Sequence, residues 1–118
     1  MTVLVSYQLL IEVSRPLQLA VGRLGVVRLP AGRYLYTGSA RRGLEARIAR
    51  HLRPAKTCRW HIDWLTTAPG VRVREHRRSA RPECELNQRT PGTVPIPGFG
   101  ASDCRAGCGA HLKRMTST

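Results

Sequence analysis

Apolar and polar side chains alternate near the start of the chain. Between residues 3 and 13, Val, Tyr, Leu and Ile occupy every second position, whereas Ser6, Gln8 and Glu12 lie between them. This period of two places the apolar side chains on one face, which predicts a half-buried β-strand. Arg15-Pro16 is expected to end that strand.

Later segments predict further strands and three short helices. Residues 19–29 predict a β-ribbon that turns at 22–25, and residues 33–37 predict the next strand. Leu44, Ile48 and Leu52 recur every four residues, which predicts a helix with one apolar face. The remaining predicted elements are a helix capped by Thr57, a strand at 71–74, a helix that starts at Pro82 and a loop at 90–110.

This order of elements predicts an α+β fold. We expect a small antiparallel β-sheet of three to four strands packed with helices. A length of 118 residues predicts a single domain over residues 1–118. Its last residues, 115–118, are expected to fray.

The charge balance indicates the class of partner. The net charge is +13, and eighteen of the twenty basic residues are Arg. A GC-rich genome would account for Arg in place of Lys, but not for the scarcity of Asp and Glu. We therefore expect an anionic polymer, nucleic acid with DNA favoured, as the partner. The sequence lacks both a run of roughly 20 apolar residues and a signal-peptide pattern, which predicts a cytoplasmic protein that does not enter membranes.

Basic residues cluster along the predicted helix that follows residue 43. The residues predicted to contact nucleic acid are Gly38, Ser39, Arg41, Arg42, Arg50, Arg53, Lys56 and Arg59. A second basic cluster comprises Arg72, Arg74, Arg77, Arg78 and Arg81. The alternative interpretation of both clusters is an ordinary solvated face.

A set of catalytic side chains can be assembled near the first cluster. Phosphodiester hydrolysis needs a group that orients or deprotonates water, a cation for the phosphate and usually a divalent metal. Tyr7 or Tyr36 could act on water if nearby cations lower its pKa. Arg47 would bind the phosphate, and His51 lies one helical turn further on the same face.

Glu83 is the predicted ligand of one Mg²⁺ or Mn²⁺ ion, because Mg²⁺ needs few protein carboxylates. The alternatives are a core role for Tyr7 and, for Glu83, a favourable interaction with a helix N-terminus.

Blocks of sequence in this order resemble the GIY-YIG nuclease superfamily. The closest resemblance is to a small branch described as Uri-superfamily endonucleases or as a domain of unknown function. The blocks are YLYTGSA (34–40), RHLR (50–53), WHIDWL (60–65), EC (83–84), GFGASDC (98–104) and HL (111–112).

The resemblance implies a metal-dependent endonuclease and assigns roles to particular residues. Residues 36–38 match the Tyr-x-Gly motif, and the segment Val-Ser-Tyr at 5–7 replaces the usual Gly-Ile-Tyr. Tyr7 is then the first motif tyrosine, with Tyr34 as the alternative. Arg47, His51 and Glu83 match the helix arginine, the following histidine and the metal-binding glutamate.

The WHIDWL segment holds two further polar candidates. His61 is predicted as a second phosphate-binding or base residue, and Asp63 could orient His51 or His61. Trp60 and Trp64 are predicted to pack in the core. The alternative for the segment is a structural cap at the edge of the core.

Four residues near the C-terminal end could hold zinc. Cys104 and Cys108 have the spacing of a zinc half-site, which Cys84 and His111 could complete. One Cys-x₃-Cys pair is a weak signal for zinc, so the favoured alternative is that these cysteines are buried thiols that act as small hydrophobic side chains. Asp103 and His111 could instead line the nuclease cleft.

Two other functions remain open at this point. One is a non-catalytic nucleic-acid-binding module on the same fold, and the other is a zinc-stabilised interaction domain. A partner protein could supply specificity, and the sequence leaves the oligomeric state open.

Overall fold

The computed structural model describes residues 3–40, 42–101, 104 and 107–115. Its elements are β1 (Ser6–Val13), β2 (Leu17–Val21), a 3-10 turn (Gly22–Leu24), β3 (Gly25–Leu29), β4 (Gly32–Ser39), α1 (Leu44–His51), α2 (His61–Thr66), β5 (Val71–Ser79), α3 (Glu83–Arg89) and β6 (Leu112–Arg114).

A four-stranded antiparallel sheet forms the centre of the fold. Its strand order is β5-β1-β4-β6, and β2 and β3 form a separate ribbon. The predicted α+β fold and the ribbon at 19–29 are therefore confirmed. The alternating strand β1 lies between β4 and β5, so the backbone is paired on both of its edges.

Helices cover both faces of β1 rather than one. Tyr7 contacts His51 of α1 on one face. The next residue, Gln8, points to the opposite face and donates to Thr90 Oγ1, just beyond α3, at 2.7 Å. Gln8 also donates to Thr37 Oγ1 at 3.2 Å. The prediction of a half-buried strand was therefore wrong for this part of β1, because α3 and the residues after it bury the polar face.

Several predicted boundaries also differ from the structure. Thr57 does not cap α2, which follows Trp60. Pro82 immediately precedes α3 instead of starting it. The strand predicted at 71–74 continues to Ser79, and β6 lies just beyond the segment predicted as a loop.

Some predicted core positions are exposed. Val3 lies before β1 and is 69% exposed, and Leu52 at the end of α1 is 44% exposed. The prediction of fraying at residues 115–118 lies outside the described residues for 116–118, whereas Met115 donates its backbone N–H to the carbonyl oxygen of Arg33. Among the described residues, no helix is both long enough and apolar enough to cross a lipid bilayer.

Candidate active site and metal centre

A buried tyrosine–histidine pair joins β1 to α1. The hydroxyl oxygen of Tyr7 lies 2.6 Å from Nε2 of His51, and both side chains are buried. Burial raises the pKa of Tyr7, although nearby Arg47 lowers it. Burial, followed by the charge of Lys56, lowers the pKa of His51 to about 4. Both groups are therefore neutral near pH 7, and they share one hydrogen bond whose donor is set by the tautomer of His51.

This electrostatic state corrects one expectation. The sequence suggested that cations would lower the pKa of a catalytic tyrosine, but desolvation outweighs the effect of Arg47. Tyr36 behaves in the same way, since burial raises its pKa well above the ordinary value. Neither tyrosine is a phenolate at neutral pH, so a tyrosine alone cannot be the base.

Tyr36 lies beside this pair on β4. Its ring centroid is 6.3 Å from that of Tyr7 and 5.9 Å from that of His51. Among the described residues its hydroxyl has no hydrogen-bond partner. Tyr34 does not reach the site, because its hydroxyl donates to the carbonyl oxygen of Pro30. The choice of Tyr7 over Tyr34 agrees with this geometry.

Gly38 makes room for the Tyr7 ring. It lies directly opposite Tyr7 in the β1–β4 register and is buried. A Cβ atom at position 38 would collide with the Tyr7 ring and hydroxyl. The structure therefore gives Gly38, predicted to contact nucleic acid, a packing role within the site.

Gly38→Ala should lower the free energy of unfolding by about 2 kcal/mol, because an added methyl group over-packs this contact. Denaturant titration would measure the loss. The same substitution in a Tyr7→Leu background should cost much less, since the ring that it meets is gone. Equal costs in the two backgrounds would show that Tyr7 is not the obstacle.

Arg47 presents its charge to the same region. Its Nη1 donates to the carbonyl oxygen of Ser39 at 2.7 Å, and its guanidinium carbon lies 4.8 Å from the Trp60 ring centroid. No carboxylate of a described residue lies within 4 Å of Arg47. The guanidinium is thus held in place by neutral groups and keeps its charge for an anionic ligand.

Arg50, one turn along α1, is engaged differently. It forms a bidentate ion pair with the buried carboxylate of Asp63 at 2.8 and 3.0 Å. That carboxylate also accepts the backbone N–H groups of Arg59 and Trp60. Burial alone would raise the pKa of Asp63, but these hydrogen bonds lower it. The prediction that Asp63 orients His51 or His61 was therefore wrong, because its carboxylate pairs with Arg50. The contact of Arg50 with nucleic acid stays a prediction.

Asp63→Asn should lower the free energy of unfolding by about 3 kcal/mol near neutral pH, since it leaves a partly buried guanidinium unpaired. The folded pKa of Asp63 lies below its ordinary value of 3.8. Its contribution is therefore complete above that pH and is lost as the pH falls through the folded pKa. Unfolding titrations across this range should show the two proteins converging in acid. Glu45→Gln, at an exposed ion pair with Arg78, should change stability little.

His61 lies at the start of α2 and faces the same space. Its Nδ1 accepts the backbone N–H of Gly100 at 2.9 Å. In the neutral ring the hydrogen is therefore on Nε2, which is available as a donor. The segment after Phe99 thus fixes the orientation of this histidine.

Most of the side chains described above line one pocket of about 160 Å³. Five of the six predicted catalytic residues line it, and His51 lies behind Tyr7. The lining residues are Tyr7, Tyr36, Ser39, Arg47, Trp60, His61, Glu83, Gly100, Cys104 and His111. Trp60 and Gly100 could not be recognised as lining residues, although both belong to the blocks WHIDWL and GFGASDC.

Glu83 is the sole carboxylate of a described residue in this lining. Its Oε1 lies 3.5 Å from Nδ1 of His111. A single carboxylate fits Mg²⁺ or Mn²⁺, because such ions keep several waters and take further oxygens from a substrate phosphate. Glu83 thus has the position that the predicted metal role requires.

The residues predicted to contact nucleic acid differ in whether their charged groups are exposed or bonded within the protein. Arg42, Arg53 and Arg59 are exposed. Lys56 instead donates to the carbonyl oxygen of His51 and to Thr66 Oγ1. Arg41 and Asp103 lie outside the described residues.

Three cysteines and a histidine form a second cluster beside the pocket. The ligand atoms of Cys84, Cys104, Cys108 and His111 all lie within 4.8 Å of one another. Cys84 Sγ is 3.5 Å from Cys104 Sγ and 3.9 Å from Nε2 of His111. A tetrahedral site with Zn–S bonds of about 2.3 Å separates its sulfur ligands by about 3.8 Å.

This geometry means that the Cys₃His group can hold a metal ion. All four cysteines of the chain are described, and none forms a disulfide. Burial, reinforced by Cys104 and Cys108, raises the pKa of Cys84 to about 12, so these crowded sulfurs need a cation to become thiolates. Thiolates suit a thiophilic ion, whereas Mg²⁺ prefers oxygen. The four residues predicted as a possible zinc set are therefore brought together, and this grouping favours a metal site over the alternative of buried thiols that act as small hydrophobic side chains.

Comparison with known families places the chain. Residues 6–118 match the model of a family described as a domain of unknown function, DUF123. The chain belongs to this family. No curated protein and no solved structure matches the chain. Membership of DUF123 confirms the predicted resemblance to an uncharacterised domain family, and the match includes every residue of the pocket and of the Cys₃His group.

Proposed function

We propose that this domain is a metal-dependent endonuclease that hydrolyses phosphodiester bonds in nucleic acid, with DNA as the favoured substrate. The observation that carries the proposal is the meeting of Tyr7, Arg47, His61 and Glu83 in one small pocket, with His51 bonded behind Tyr7. A water-orienting hydroxyl, a cation and a carboxylate are the groups that this reaction requires.

Binding of the scissile phosphate would fall to the basic side of the pocket. The Arg47 guanidinium, held by Ser39 and Trp60, would pair with two phosphate oxygens. His61 would donate a hydrogen bond from Nε2. Glu83 would hold one Mg²⁺ or Mn²⁺, which when bound supplies further neutralisation of the phosphate charge.

The raised pKa of the tyrosines and the lowered pKa of His51 favour orientation of the attacking water over its deprotonation by either kind of group. The hydroxyl groups of Tyr7 and Tyr36 would hold the water in line with the leaving oxygen, and His51, 2.6 Å from the Tyr7 hydroxyl, would fix that hydroxyl in place. As the water oxygen bonds to phosphorus and the bond to the leaving oxygen breaks, the water would release a proton to solvent and the leaving oxygen would take one from solvent.

Substrate would reach the pocket along exposed cations. Arg42, Arg53 and Arg59 are exposed on the α1–α2 side, and Arg72, Arg74 and Arg77 are exposed on β5. Contacts with the phosphate backbone carry no sequence information, so specificity would come from substrate shape or from a partner protein.

A cleavage panel tests the proposal. The full chain is incubated with duplex, single-stranded, nicked and branched DNA and with RNA, in Mg²⁺, Mn²⁺ or EDTA. Cleavage that needs the divalent ion is the expected result. Binding to every substrate with no cleavage in any condition would reject the nuclease.

The second candidate is a non-catalytic nucleic-acid-binding module. The raised pKa of both Tyr7 and Tyr36 favours it, since neither supplies a ready base. This module predicts binding to duplex DNA that weakens steeply with salt, with log K falling by about 0.9 per phosphate contact in each decade of salt.

The Cys₃His group supports a separate proposal about structure. We propose that it holds Zn²⁺ as a structural ion, because four protein ligands leave no open coordination position. Such an ion is compatible with either nucleic-acid function. Stoichiometric zinc without binding to any nucleic acid would instead favour a zinc-stabilised interaction domain.

A further inference from the structure

His111 has its two ring nitrogens in different surroundings. Nε2 faces the Cys₃His group, 3.9 Å from Cys84 Sγ. Nδ1 faces the other way, is buried and has no hydrogen-bond partner among the described residues. The nearest acid to it is Glu83, whose Oε1 lies 3.5 Å away. A movement of about half an ångström would bring that contact to hydrogen-bond length.

A metal on Nε2 gives this contact a definite chemical role. A histidine that binds metal through one nitrogen carries its hydrogen on the other, and that N–H almost always donates to a carboxylate, a carbonyl or water. In His111 the second nitrogen would be Nδ1. Glu83 supplies the carboxylate at that position.

Glu83 is also free of competing partners. Among the described residues, no arginine or lysine forms an ion pair with Glu83. Glu85, in the same first turn of α3, pairs with Arg81 at 2.9 Å and with Arg89 at 3.5 Å. Glu83 thus faces the pocket and His111 while Glu85 faces outward.

We propose that Glu83 is a positioning residue of the Cys₃His metal centre. Its carboxylate accepts the Nδ1 hydrogen of His111 when Nε2 binds the metal, and the loaded centre in turn holds that carboxylate at the wall of the reaction pocket. Glu83, Cys104 and His111 all line this pocket, so the two metal functions meet at one side chain. Only the link to catalysis rests on the proposed nuclease activity; the link to the metal centre does not.

Competition between the protein and a chromophoric chelator for Zn²⁺ tests the inference. Glu83→Ala should weaken Zn²⁺ binding by about 10- to 100-fold, the range found for lost outer-shell partners. Glu83→Gln, whose amide oxygen can still accept the hydrogen bond, should lose less. Glu85→Ala is the matched control, because it removes a carboxylate from the same helical turn, and it should bind Zn²⁺ like the parent. Equal affinities in Glu83→Ala and Glu85→Ala would overturn the inference.

A spectroscopic signature separates positioning from a general loss of structure. In the Zn²⁺-loaded parent, long-range ¹H–¹⁵N spectra should show His111 metal-bound at Nε2, with a protected hydrogen on Nδ1. That hydrogen should exchange rapidly in Glu83→Ala and stay protected in Glu85→Ala. Protection retained in Glu83→Ala would identify another acceptor and overturn the inference. Neither readout needs cleavage, so an inactive protein that shows both effects would reject the nuclease and leave this inference standing.

Discussion

Arg47→Ala should slow metal-dependent cleavage of nucleic acid by about 100- to 1,000-fold, the usual cost of removing one group that stabilises developing charge. The reason is structural: Arg47 lines the pocket, and no carboxylate of a described residue neutralises it. Its contacts are to the Ser39 carbonyl oxygen and the Trp60 ring, which orient the guanidinium without neutralising its positive charge. Single-turnover cleavage rates on the best substrate of the panel would measure the effect.

The controls distinguish chemistry from binding. Arg53→Ala removes an exposed arginine just beyond α1, outside the pocket lining. It should weaken binding in a salt-dependent way and leave the single-turnover rate at saturation unchanged. Arg47→Lys keeps the charge but loses the two-pronged donor, so it should remain well below the parent. Cleavage by Arg47→Ala at the parent rate would refute the proposed role.

Removal of the Cys₃His ion should have the largest effect on stability. Structural zinc sites contribute about 10–16 kcal/mol in small metal-dependent domains, which equals or exceeds the stability of a typical domain. We therefore expect chelation to abolish cooperative unfolding or to lower Tm by more than about 15 °C. The ion would tie α3, through Cys84, to the segment that contains Cys104, Cys108 and His111. Calorimetry of protein with a measured zinc content, before and after chelation, gives the comparison.

Cysteine variants provide the matched test of that prediction. Cys84→Ser removes a ligand, whereas Cys58→Ser alters a thiol outside the cluster, 4.0 Å from Thr67 Oγ1. Cys84→Ser should lose bound zinc and behave like the chelated parent. Cys58→Ser should keep both zinc and Tm. The same zinc content and Tm in the two variants would contradict a structural ion at this site.

Most of the fold could be predicted because most of its elements carry a local pattern. The alternation along β1 and the four-residue period of Leu44 and Ile48 reflect burial against neighbours, so both are visible in sequence. The second half of β5 and all of β6 lack such a pattern. Residues 75–79 are mainly charged, and β6 has three residues; they form strands because β1 and β4 offer unpaired backbone groups beside them.

In the candidate site, too, contacts within one element could be predicted from sequence, whereas contacts between distant segments could not. Arg47 and His51 could be paired from sequence because one helical turn separates them. The approach of Cys84 to His111 could not, because the long segment that follows α3 must fold back to bring them together. The protonation state of Tyr7 could not be predicted either. The sequence suggests a nearby arginine that lowers the pKa of Tyr7, but the larger effect of desolvation, which raises this pKa, depends on how the folded chain packs. Asp63 was misassigned because a carboxylate two residues from a histidine can turn to an arginine on another helix.

The pocket draws its walls from distant parts of the chain. Tyr7 comes from the first strand of the sheet, whereas Cys104 and His111 come from the segment before the last strand. Ribosomes synthesise chains from the N-terminus, so most of the exposed arginines emerge before that wall does. A half-made chain therefore already carries many of these arginines but lacks the wall of the pocket that contains Cys104 and His111. If the pocket is the nuclease site proposed above, it can be complete only after His111 has been synthesised.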